Sequence, residues 1–133
     1  MEKRKVKQNL KLSTIEGSFW AIMYGGGETF LSACAVFLQF SAFQISFLSS
    51  FPPFIGSCFQ LFSASIKNKF KDIKQFVVAM SYLQAILWIA LVLLLFYKPT
   101  YKYILIWSCI YWIIGTAIQP AWTAWMGYFV PRR

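Results

Sequence analysis

Charged residues leave four long gaps in this chain, and the gaps define its elements. No Asp, Glu, Lys or Arg occurs between Phe43 and Ile66, between Phe76 and Tyr97, or between Tyr103 and Val130. Phe19 to Phe40 is a fourth such stretch, interrupted by one acid, Glu28. Each stretch reaches the roughly 20 residues a helix needs to cross about 30 Å of hydrocarbon. Inside the stretches the polar residues recur at helical spacing. Tyr24, Glu28 and Ser32 share one face of the first, and Ser49, Pro53, Gly56, Gln60 and Ser63 form a small, polar stripe on the second. Ser81, Gln84 and Trp88 do so on the third, and Ser108, Tyr111, Gly115, Gln119 and Trp122 on the fourth. The pattern predicts an all-α, polytopic membrane protein with four transmembrane helices, over about residues 19–40, 43–66, 76–97 and 103–130. Their small and polar faces are expected to turn towards protein or water, where hydroxyls and amides bond across helix contacts.

The polar segments punctuate these spans. Residues 1–17 read as a basic leader ahead of a transmembrane region over 18–133. Ser13 with Glu16 has capping-box spacing, so the first membrane helix is expected to start there, or at Ser18. A tight turn near Ser41 and Ala42 joins the first two spans. A basic loop from Lys67 to Gln75 follows the second, and Lys98 to Lys102, with Pro99, follows the third. Pro52-Pro53 falls inside the second span, where neighbouring helices can re-satisfy the freed carbonyls. The fourth span would extend about 42 Å, so it must tilt, kink at Pro120 or run out along the interface.

Composition and charge agree with lipid. Of 133 residues, 59% are hydrophobic and 13% charged, too few charges to cover a soluble fold this small. The net charge of +9 does not indicate a nucleic-acid partner, because the basic residues sit at the ends of apolar segments. Lys3, Arg4, Lys5, Lys7, Lys11, Lys67, Lys69, Lys71, Lys74, Arg132 and Arg133 all fall on one side, and Lys98 and Lys102 on the other. The positive-inside rule then places both termini and the middle loop in the cytoplasm. Cys34, Cys58 and Cys109 are isolated, and the chain has no histidine. No metal site and no cofactor is expected. The run Leu31-Ser32-Ala33-Cys34 has the look of a lipoprotein signal, but Glu28 and three glycines interrupt its apolar core and more membrane follows.

Glu28 is the sharpest chemical feature. It lies about 14 Å along the first span, near the bilayer midplane, where an ionised acid costs at least about 3 kcal/mol. Such a residue needs a partner, a water-filled cavity or a proton. It is therefore the first candidate for binding a proton or a substrate cation, with Gln60 and Gln119 as candidate partners. Gly25-Gly26-Gly27 precedes it. Three glycines weaken a helix by roughly 1 kcal/mol each, which marks either a local break or a close helix crossing. Gly115 and Pro120 mark a corresponding interruption in the fourth span, and interrupted segments at matching positions point to a binding site. Tyr24 and Trp122 are then candidates to stack on an aromatic or apolar substrate, while Trp125 is assigned to interfacial anchoring. No nucleophile stands beside a base, so enzymatic activity is not expected.

The stretch from Glu16-Gly17-Ser18-Phe19-Trp20 through Gly25-Gly26-Gly27-Glu28-Thr29-Phe30 resembles the first helix of bacterial major facilitator superfamily transporters. Phe43 to Leu48, leading to Pro52-Pro53-Phe54-Ile55-Gly56, is similar to the second. Trp112 to Trp125 and the following Met126 to Arg133 resemble the fourth helix entering a basic cytoplasmic loop. The loop from Ser65 to Lys74 departs from the superfamily pattern, keeping basic charge and an acid but neither glycine. The resemblance implies transport of a small solute, a location in the bacterial cytoplasmic membrane, and a chain of about twelve helices. The present four would then be an amino-terminal fragment that partners the remaining helices. Two other readings compete. One is a complete four-helix subunit resembling small multidrug resistance transporters, which pair a second subunit around a membrane glutamate and exchange protons for cations. The other is a non-transporting accessory protein whose helices only bind other helices.

Overall fold

A computed structural model describes residues 2–62 and 72–127, all of it helix and short turns with no strand among those residues. Ser63, the loop lysines Lys67, Lys69 and Lys71, and the terminal Pro131-Arg132-Arg133 lie outside the described residues. Helix α1 (Glu2–Met23) runs into a π-helical turn (Tyr24–Glu28) and then α2 (Phe30–Phe37). Three more helices follow, α3 (Ala42–Gln60), α4 (Ile73–Phe96) and α5 (Tyr101–Gly127). Two of them, α4 and α5, are long and apolar enough to cross a membrane. The first predicted span does not pass that test as one element because the π turn divides it.

The expected start of the first helix is corrected. Ser13 and Ser18 lie inside α1, which begins at Glu2. The Ser18 hydroxyl donates back to the Thr14 carbonyl and caps nothing. Gly115 and Pro120 do not break α5, which is continuous through both. Proline withholds only one donor, and α5 is held along its length by α3 and α4, so packing outweighs the local loss.

The turns obey cap chemistry. After α2, Gln39 takes φ 58°, and the amides of Phe40 and Gln39 donate to the carbonyls of Ala35 and Val36. That is a Schellman closure with glutamine where glycine is usual. Ser41 then opens α3 by a capping box, its side chain accepting from the Gln44 amide while the Gln44 side chain accepts from the Ser41 amide. Lys98, at φ 46°, closes α4 in the same left-handed conformation. Pro99 follows it and cannot donate the second bond.

Helix α5 is the central element, packed between α3 and α4. Near the two turns the core joins α2, α3, α4 and α5 through Ala35, Leu48, Leu91, Ile104, Trp107 and Tyr111. At the opposite end a second cluster, Phe76, Val77, Ala117 and Ala121, joins only α4 and α5. Trp125 packs against this second cluster. One end of the bundle is thus tied together across α2 to α5, while the other joins α4 and α5 alone, and α1 contributes to neither cluster.

Candidate functional site: a glutamate-floored cavity

The π turn makes the site. Its extra residue shifts the Thr29 amide from its α-helical acceptor, Gly25, to the Tyr24 carbonyl at 3.3 Å. The Thr29 hydroxyl takes the abandoned Gly25 carbonyl at 2.6 Å, so the shift leaves that acceptor satisfied. The three glycines therefore distort the helix without unwinding it. Gly27 also gives the close crossing, since a Cβ there would meet the Trp88 ring at 2.8 Å. Turns of this kind recur at functional sites, where they re-aim side chains.

Glu28, half-buried, points from this turn to α5, where the Tyr111 hydroxyl donates to its Oε1 at 2.6 Å. Trp88 of α4 packs edge-on to the Tyr111 ring, with centroids 5.5 Å apart. Tyr111 is 2% exposed, and its ring stacks on Trp107 with centroids 5.2 Å apart. The Trp107 indole is anchored in turn on the Leu87 carbonyl at 2.7 Å. The expectation that Gln60 or Gln119 holds Glu28 is corrected to Tyr111. Gln60 ends α3 and lines neither cavity that Glu28 lines, while Gln119 lies further along the wall.

Glu28 and Tyr111 border two cavities. The smaller, about 110 Å³, lies towards the turns and includes Ser32 and Ser49, whose hydroxyls are 3.2 Å apart. The larger, about 340 Å³, runs from Glu28 towards Glu16 between α1, α4 and α5. Tyr24, Gln84, Gly115, Gln119 and Trp122 contribute to its wall. Three of the predicted polar faces therefore converge on one space. The second stripe mostly serves packing: a Cβ on Gly56 would come within 2.8 Å of the Trp112 carbonyl oxygen, and Thr116 donates to the Gly56 carbonyl at 2.8 Å.

Tyr24 and Trp122 both line the larger cavity but do not stack on one another. Tyr24 stacks on Trp20, with centroids 5.3 Å apart, and the Trp122 indole donates to Glu16 Oε1 at 2.9 Å. Gly115 admits the Gln84 amide, whose Nε2 would lie 2.8 Å from an added Cβ. Gly25 and Gly26 face open space. Tyr111, Gln84, Trp20 and Glu16 are the site residues that the sequence reading did not select. Tyr111 and Gln84 lay on the predicted stripes, which was the available signal. Among the described residues no group of three or more His, Cys, Asp or Glu could hold a metal.

Neither a known protein family, nor a characterised protein, nor a solved structure matches the chain. Fold and geometry thus define an all-helical bundle around an acid-floored cavity among the described residues.

Proposed function

We propose that the chain is a four-span membrane protein that moves a small solute, as part of a transporter of the major facilitator type. The observation that carries this is the larger cavity, a mostly apolar space that bears two acids, Glu16 and Glu28, inside a bundle whose exterior is apolar. Only 11% of the most apolar stretch of α4 is buried. The core helix of a water-soluble protein would hide such a surface, whereas here Ile86, Ile89, Val92, Leu93 and Phe96 all face outwards. Phe19, Phe30, Phe37, Phe43 and Phe54 do the same on the other helices. Hydrocarbon is the solvent that suits such a face.

In that solvent an interior acid calls for a use. Membrane acids face cavities or partners and mark solute and proton pathways. Glu28 sits where the first and fourth predicted spans meet, at the end of a π-helical turn of the kind that recurs at functional sites. The titratable groups lining the larger cavity are Glu16, Tyr24, Glu28 and Tyr111, and Glu28 is the acid at its inner end. Proton-coupled flux through this space would run by way of Glu28. The test is flux driven by an imposed pH gradient in membrane vesicles carrying the chain, with and without Glu28→Gln. The expected result is solute movement that this change removes. Equal flux and equal pH dependence in both would reject the reading.

A further inference from the structure

We propose that the smaller cavity binds one sodium ion, held by hydroxyl, carbonyl and carboxylate oxygens of α2, α3 and the π turn. Its lining carries an excess of acceptors. The Ser49 hydroxyl donates to the Ile45 carbonyl at 3.0 Å, so in its 3.2 Å pair with Ser32 the hydrogen comes from Ser32. Both hydroxyl hydrogens are then committed, and each oxygen keeps a lone pair. Glu28 accepts from Tyr111 through Oε1, which leaves Oε2. Leu48 and Ser49 also line the chamber. Four residues on in α3 stand Pro52 and Pro53, which have no N–H to donate to those two carbonyls. On the donor side the Trp107 indole is already bound to Leu87. At most the N–H groups of Trp88 and Trp112 are left, that of Trp88 buried without a partner among the described residues.

Oxygens that outnumber their donors are met by a cation. The single carboxylate in the lining balances one positive charge. A divalent ion would leave a surplus in low dielectric, and its sites draw on several carboxylates. The volume of about 110 Å³ lies well under the roughly 300 Å³ at which sites for organic molecules begin. It holds a bare ion with one or two waters, at about 30 Å³ each. Main-chain carbonyls released at helix interruptions are recurring sodium ligands in membrane proteins. Lys98 and Lys102, the basic residues near this end, are exposed and line no part of the chamber. Residues 63–71 continue from the far end of α3, and Ser49 stands about 17 Å from Gln60 at helical rise. Ser32 and Ser49 are exposed, so the chamber opens on the flank between α2 and α3. Bound there, the ion joins the π turn to both helices and stabilises that end of the bundle. The site shares Glu28 with the carrier reading but requires no flux.

The experiment melts the full chain in detergent in sodium, potassium or choline chloride at equal ionic strength and fixed pH. Binding of radioactive sodium to the same protein is counted at equilibrium. Sodium alone should raise the melting temperature, saturably. Glu28→Gln should abolish the rise, and Ser49→Ala, which removes one ligand, should weaken sodium about tenfold. Pro53→Ala is the sharpest variant, because it returns an amide to the Ser49 carbonyl. It should weaken sodium several-fold while leaving the protein without salt at least as stable, a result that loss of packing would not give. Ser57→Ala, further along α3, should change nothing. Equal melting in all three salts, as a chamber holding only water predicts, overturns the assignment. So does sodium binding that survives Glu28→Gln, Ser49→Ala and Pro53→Ala alike. Sodium binding without any solute flux would uphold the site and reject the carrier, whereas Glu28-dependent flux with no sodium binding would do the reverse.

Discussion

Helix α5 has two contacts of opposite character. Against α3 it is dry and close: Gly56 brings the two backbones together, and the Thr116 hydroxyl bridges the Gly56 and Trp112 carbonyls at 2.8 Å each. Against α1 it is open. Near its far end the two helices meet through the bond from Trp122 to Glu16 and a 3.6 Å contact from Ser13 Oγ to Met126 Sδ. The difference lies in residue size and chemistry at matching depths. Glycine and threonine let one seam close completely, whereas tyrosine, tryptophan and glutamine prop the other apart. The same helix thus fixes the fold with one side and shapes the site with the other.

That contrast can be broken from the closed side first. Gly56→Ala pushes a methyl group into the Trp112 carbonyl, backbone that cannot swing away. It should cost about 2 kcal/mol, read as a lower melting temperature in mild detergent. Gly115→Ala meets only the end of the Gln84 side chain, so it should leave stability nearly unchanged while weakening ligand binding. A larger stability loss at position 115 than at 56 would invert the comparison.

Next comes the contact between site and core. Tyr111→Phe removes the donor to Glu28 and should destabilise by about 1.5 kcal/mol; no loss would mean that the pair is not held in the membrane. Thr116→Val, which deletes the bridge to Gly56 but keeps the shape, should cost about 1 kcal/mol with ligand affinity intact. The smallest effect lies in the turn. Gln39→Gly relieves a left-handed backbone that disfavours side chains and should stabilise the protein by about 0.5–1 kcal/mol. A decrease instead would show that the Gln39 side chain contributes something the turn needs.

Much of this was legible in the charge gaps and the polar stripes. The limits of α4 and the start of α5 came within a few residues, because long apolar runs bounded by lysine and proline admit few alternatives. The faces carrying Ser81 and Gln84, and Tyr111, Gly115 and Gln119, converge as their spacing suggests. What stayed hidden depends on contacts between elements. Nothing local tells Ser13 that α1 already extends back to Glu2, since a capping sequence is also an acceptable helix interior. The choice of Tyr111 over Gln60 or Gln119 for Glu28 depends on the axial offset between helices, which a linear pattern does not encode. Pro120 reads as a break by propensity, yet α5 absorbs it between two packed neighbours.

The π turn leaves Glu28 resting on a register difference of a single amide. Were the Thr29 amide to return to Gly25, its own hydroxyl would simply be displaced from an acceptor 2.6 Å away, with no carbonyl stranded. One residue of helical phase is about 100°, enough to swing the carboxylate off Tyr111. The partition between the small chamber and the large one therefore depends on an exchange of partners within one side chain's reach.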